Sequence, residues 1–137
     1  LPPELADVLD DIGFVVKDDD LAQGYRRFSG EYPALGGPLE EVLARKFVGL
    51  APCSTTSRGP HARALYVADR VMQVSPDGVL FLRYPWCEPE AFDLPPVLEA
   101  VRRLGLPVAE VTLNPQQPDD AATRTRLEAF HELLGAR

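Results

Sequence analysis

"DGVLFLRYPWCEPEAFDLP", residues 77–95, decides the fold. Its apolar run, Gly78-Val79-Leu80-Phe81-Leu82, is bounded by Asp77-Gly78 before it and Pro85 after it. A continuous run of this kind suits a strand covered on both faces, as in a parallel sheet. Glu88-Pro89-Glu90 then opens a helical stretch. Pro95 and Pro96 interrupt that stretch and are expected to start its main body, because proline inside a helix removes a hydrogen bond. Cys87 stands where the strand stops and the helix begins.

Working outward, the same strand–helix alternation appears on both sides. "LPPELADVLDDIG" has Leu5, Val8, Leu9 and Ile12 on one helical face, with Gly13 as terminator. "FVVKDDD", residues 14–20, reads as a short buried strand running into acid. "PLEEVLARKFVGL" is helical, with Val42, Leu43 and Phe47 expected to face inward. "HARALYVADRVMQVSP" is helical again, with Leu65, Ala68, Val71 and Met72 in register. "LPVAEVTL" is a third strand. Asp119 or Asp120 is the expected cap of a terminal helix. Strands alternating with covering helices imply right-handed crossovers and a parallel sheet, here with three strands. The first helix has no strand before it, so the reading expects a strand or a domain upstream.

The composition sets outer limits. A chain of 137 residues is the size of one domain and needs no disulfide or metal to hold its core. Its net charge of -7 and pI near 4.8 disfavour nucleic-acid binding. No apolar run approaches the roughly 20 residues that span a bilayer. Leu1-Pro2-Pro3-Glu4 has neither the basic start nor the apolar stretch of a signal peptide. Two cysteines make no secreted disulfide framework, so a reducing cytoplasm is expected.

In an open parallel sheet, ligands gather beyond the carboxyl ends of the strands. Three segments should meet there: Asp18-Asp19-Asp20, Tyr84 to Glu88, and Asn114-Pro115-Gln116-Gln117. Helix N-termini favour anions, thiolates among them. A thiolate at position 87 could act as nucleophile, redox thiol or soft-metal ligand. The alternative is a half-buried cysteine serving as a small hydrophobe. Cys53, in "APCSTTSR", has no CxxC partner, and the packed reading is the stronger one for it. The acidic run at 18–20 suggests a phosphoacceptor pocket, but no lysine closes the last strand. A solvated turn or a helix-capping cluster suits it better. His61 and His131 have no metal-ligand company at recognised spacing, and no phosphate-binding glycine loop or GxSxG elbow is present.

Four segments in order carry a family resemblance. "DDDLAQGYRRF" resembles the DDLxxGxRxF element of the 2-hydroxyacyl-CoA dehydratase and benzoyl-CoA reductase family, through Asp19, Asp20, Leu21, Gly24, Arg26 and Phe28. "PLEEVLARKF" followed by "APC" is similar to the family's next helix and cysteine-bearing loop. "DGVLFLRYPWCEPEAFDLP" resembles its DGVIxxxxxxCDPxxxxxP element, with Glu88 in place of the aspartate. "TRTRLEAFHELL" resembles its closing helix. Ala22 stands where many relatives carry another cysteine.

The resemblance implies an α/β, three-layer, flavodoxin-like (Rossmann-like) domain with a small parallel sheet. Residues 1–137 would be the single C-terminal domain of a longer, D-component-like subunit. It implies a [4Fe-4S] cluster held by cysteines from different domains, with Cys87 as a metal ligand and Cys53 as a weaker cofactor-binding candidate. Trp86 would shield that cluster, and Arg26 with Asp19 and Asp20 would line the same interdomain face. The implied partners are an acyl-CoA substrate, a paired related subunit and an ATP-dependent activator protein that donates an electron. The implied chemistry is radical dehydration of a 2-hydroxyacyl-CoA, or reduction of an aromatic ring carried on CoA. A non-catalytic flavodoxin-like interaction or regulatory module is the alternative.

Overall fold

In the computed structural model, which describes residues 1–22, 24–29, 37–54 and 59–136, the central apolar run forms β1 (Val79–Arg83). It pairs in parallel with β2 (Val108–Thr112), with Val79 opposite Val108 and Arg83 opposite Thr112. The connection between them is α5 (Glu88–Arg102), as a parallel pair requires.

Side chains alternate across a strand, so each strand feeds two cores. Leu80, Leu82 and Val111 join Leu5, Val8, Leu9 and Leu127 on one face. Those partners come from α1 (Pro3–Ile12) and α6 (Ala121–Gly135). Val79, Phe81 and Val108 join Ala64, Val67, Val71, Val97 and Val101 on the other face. These come from α4 (Pro60–Val74) and α5. Two helical layers thus enclose a small parallel sheet, and the fold is three-layer α/β of flavodoxin-like type.

Local signals place the helix ends. Gly13 takes φ +99° after α1, a conformation that costs glycine nothing. Asp120 caps α6 by accepting from Thr123 N–H at 2.7 Å. At Gly78 the requirement is space: a Cβ there would meet Leu134 Cδ2 at 2.7 Å and Phe130 Cζ at 2.9 Å. That glycine lets α6 lie against the entry to β1.

Four expectations change. Residues 14–20 form no strand, and the sheet has two strands among the described residues. Val15 is 84% exposed and Val16 61%, because no strand of the described residues lies beside this segment to bury them. In α3 (Leu39–Val48), Leu43 and Phe47 are exposed and no residue is buried. Helical periodicity identifies an apolar face but supplies no partner for it. In α4, Leu65 and Met72 are exposed, and the buried stripe is Ala64, Val67 and Val71. The helix is turned so that this stripe meets Val97 and Val101 of α5. Pro95 and Pro96 sit inside α5 and do not begin it. Burial of Leu94, Val97, Leu98 and Val101 carries the helix through them.

Candidate functional site

β1 ends at Arg83, and four residues later Cys87 is the N-terminal cap residue of α5. Its carbonyl accepts from Ala91 N–H at 3.0 Å, while its side chain makes no capping bond. Trp86, just before it, takes φ +70°, unusual for a bulky residue, and is 94% exposed. Cys87 is itself exposed and lines a hollow of about 200 Å³ with Arg83, Tyr84, Glu88 and Glu90. It is therefore not a packed hydrophobe in this chain. Trp86, expected as a shield, lines the same hollow with its own side chain open to solvent.

The acidic run is a tether. Asp19 Oδ1 accepts from Leu21 N–H at 3.0 Å and Tyr25 N–H at 2.9 Å, which starts α2 (Tyr25–Phe28). A Cβ on Gly24 would stand 2.1 Å from that oxygen, so a side chain there would push the carboxylate off its partners. Asp20 accepts from Arg26 Nε at 3.1 Å and from Arg63 Nη2 at 2.5 Å. Both arginines are buried, at 8% and 7% exposure. Asp18 accepts from Arg70 Nη2 at 2.6 Å, and the Arg70 guanidinium lies 4.2 Å from the centre of the Tyr25 ring. The three aspartates have three local jobs: pinning to α4, capping α2 and pairing two buried arginines.

The same network places Cys53. Arg26 Nη1 donates to Cys53 Sγ at 3.5 Å, and Arg63 Nη1 donates to Pro52 O at 2.9 Å. Burial works against the charge of Arg26. The hydrogen bond and charge of Asp20, then those of Cys53, more than offset it, so its pKa stands above the usual guanidinium value. Beside them, the hydrogen bond that Arg70 donates to Asp18 raises the Arg70 pKa, against a smaller effect of burial. Burial, then the negative charge of Asp20, pushes the Tyr66 phenol up. The Oη of Tyr66 and Oγ of Ser54 are buried with no hydrogen-bond partner among the described residues.

A second cavity, of about 1,040 Å³, runs beside β1. Asp18, Asp19, Asp20 and Arg26 line it, and it shares Tyr84 and Glu90 with the hollow at Cys87. The acidic run and the Cys87 loop therefore converge on adjoining spaces. The expected third segment does not join them: Asn114 turns its Oδ1 onto its own Gln116 N–H at 3.0 Å. Cys53 lines neither cavity. His131 packs edge-on to Phe14, with ring centres 5.1 Å apart. Arg63, Tyr66 and Arg70 are participants that sequence reasoning missed. The signal was present, because residues seven apart on α4 share a face and three aspartates need cations.

The donor set tests the fit to an iron–sulfur cluster, which is usually held by about four cysteine thiolates. Among the described residues no group of three or more His, Cys, Asp or Glu is placed to hold a metal. The hollow offers one exposed thiol, a single ligand and not a complete set. Also among the described residues, no helix is long and apolar enough to cross a membrane.

Comparison with known proteins gives two relatives. The chain is 25% identical over 131 residues to the (R)-phenyllactyl-CoA dehydratase beta subunit of Clostridium sporogenes, covering 96% of this chain and 34% of that one. It is 25% identical over 134 residues to the lactoyl-CoA dehydratase subunit beta of Anaerotignum propionicum, covering 97% and 36%. The chain thus spans about a third of the length of these relatives. A sequence profile described as 2-hydroxyglutaryl-CoA dehydratase, D-component, matches residues 1–134. With that match over nearly its whole length, the chain belongs to the 2-hydroxyglutaryl-CoA dehydratase D-component family.

Proposed function

We propose that this chain is the C-terminal domain of a subunit of an iron–sulfur 2-hydroxyacyl-CoA dehydratase, and that Cys87 supplies one thiolate to a [4Fe-4S] cluster. The observation that carries this reading is the exposure of Cys87 at the carboxyl end of a parallel strand, with its side chain uncommitted to capping. Parallel α/β sheets place their ligands at that end. Family membership supports the reaction class, and the names of the two relatives support a CoA thioester of a 2-hydroxy acid as substrate. Both relatives are beta subunits, which supports a paired subunit as partner. An ATP-dependent activator as electron donor follows from the same family reading.

When bound, the cluster would supply one-electron chemistry for eliminating water from the acyl-CoA. The work of this chain is to hold the thiol. Pro85 in the loop before Cys87 and Pro89 in the first turn of α5 stiffen the chain on either side of it, since proline fixes φ. Arg83 and Tyr84 line the hollow beside it. Cys53 is read as a structural partner of Arg26, on the strength of its 3.5 Å contact.

The test is anaerobic purification of the full-length subunit, read by iron content and EPR. Cys87→Ser is expected to lose most of the cluster signal, and Cys53→Ser to keep it. A Cys87→Ser protein with its full iron complement would end the ligand assignment.

A further inference from the structure

One edge of β1 is paired and the other faces the large cavity. Val79 N–H donates to Pro107 O at 2.9 Å, and Arg83 O accepts from Leu113 N–H at 2.7 Å. Backbone groups of successive residues in a parallel strand turn to opposite sides. Leu80 and Leu82 therefore direct their N–H and C=O away from β2, toward the cavity that both residues line. Among the described residues no strand meets them. An open strand edge is a template for another strand.

The walls of the cavity match such an occupant. Opposite β1 lie residues 14–20, with Val15 and Val16 turned out to solvent. Val71 of α4 and Phe130 of α6 line it from the two helical layers. Its volume, about 1,040 Å³, stands at the top of the usual range for small-molecule sites, about 300–1,000 Å³. A space bounded by the open edge of β1, residues 14–20 and two helix faces has room for a strand.

The direction is also set. Lys17 pairs with Asp77, just before β1, at 3.6 Å, and Asp20 pairs with Arg63, in the first turns of α4. α4 ends where β1 is about to begin, so its start lies toward the carboxyl end of β1. Residues 17–20 thus run parallel to β1. Leu1 and Pro2, which lead into α1, and Pro3, its first residue, also line the cavity. A strand ending there would use α1 as the crossover helix to residues 14–20.

We propose that the cavity is filled by a β-strand of the same polypeptide, from the stretch immediately N-terminal to Leu1 in the longer subunit. It would run parallel to β1, between it and residues 14–20. About five residues, or roughly 16 Å, match the length of β1. They would be mainly apolar, because Val67, Val71 and Val74 line one side of the cavity and Phe130 and Leu134 the other. The relatives, of which this chain covers 34% and 36%, have ample polypeptide outside the match. The proposal rests on the reading of this chain as part of a longer subunit, and not on iron at Cys87.

Hydrogen exchange and photo-cross-linking on the full-length subunit test it. Phe81, whose backbone faces β2, is the internal reference. The Leu80 and Leu82 amides are expected to be protected to the same degree as the Phe81 amide, as amides of one cooperative unit are. Val15→p-benzoylphenylalanine is expected to cross-link to residues shortly before Leu1. Faster exchange at Leu80 and Leu82 in the unmodified subunit would overturn the proposal. So would a cross-link to a second subunit, or to a distant part of the same chain.

Discussion

Asp19 and Gly24 act as one unit. The carboxylate that organises α2 occupies the space a side chain at 24 would need. Gly24→Ala should force Asp19 off Leu21 and Tyr25, at a cost of ~1–3 kcal/mol. Guanidinium-chloride unfolding of the chain checks this, and an unchanged midpoint would contradict the packing argument. A second residue-scale prediction concerns Asp120, whose pKa is lowered from 3.8 chiefly by the Thr123 backbone N–H and side chain. A carboxylate with a depressed folded-state value contributes stability above its unfolded pKa and loses it as pH falls through the folded value. Asp120→Asn keeps a capping oxygen but no titration. The stability lead of the native chain over this variant should therefore be greater at pH 7 than at pH 2.5, measured by unfolding at both. The caps, the strand of residues 79–83 and the place of Cys87 were legible in sequence, because each depends on immediate neighbours. The pairing of Asp20 with Arg63 was not, since 43 residues separate them.

At the scale of elements, apolar periodicity has two outcomes here. α6 buries Leu127 completely and Phe130 nearly so, against α1 and the sheet. α3 has a comparable apolar face, yet Leu39, Leu43, Phe47 and Val48 are all exposed. Leu127→Ala should destabilise this chain by ~2–5 kcal/mol, through lost burial and a cavity. Phe47→Ala should change it by less than ~0.5 kcal/mol, as an exposed substitution does. The two variants, unfolded side by side in urea, separate a helix that builds the core from one that does not. The failed expectation for Leu43 and Phe47 has the same origin: amphipathicity is local, but burial needs a second surface.

For the whole molecule, two helical layers on a two-stranded sheet make a framework that presents a single thiol at its rim. A cluster needs about four ligands, and the described residues bring no second cysteine to Cys87. The 137-residue chain alone, reconstituted anaerobically with iron and sulfide, should hold no stable four-iron cluster. Iron content near zero after desalting is the expected reading. A stoichiometric cluster would show that the site is complete without other domains.

The sequence by itself determined the α/β alternation, the parallel strand at 79–83, the cysteine at its carboxyl end and the family. These follow from short-range patterns: an unbroken apolar run, proline and aspartate at helix starts, and motifs in a particular order. Only the tertiary structure decided that residues 14–20 join no strand among the described residues, that the acidic run is bound to Arg26, Arg63 and Arg70, and which stripe of α4 is buried. Those outcomes depend on what stands opposite each group in space. Asp18 and Arg70 are 52 residues apart in the chain, and nothing local to either one states that they meet.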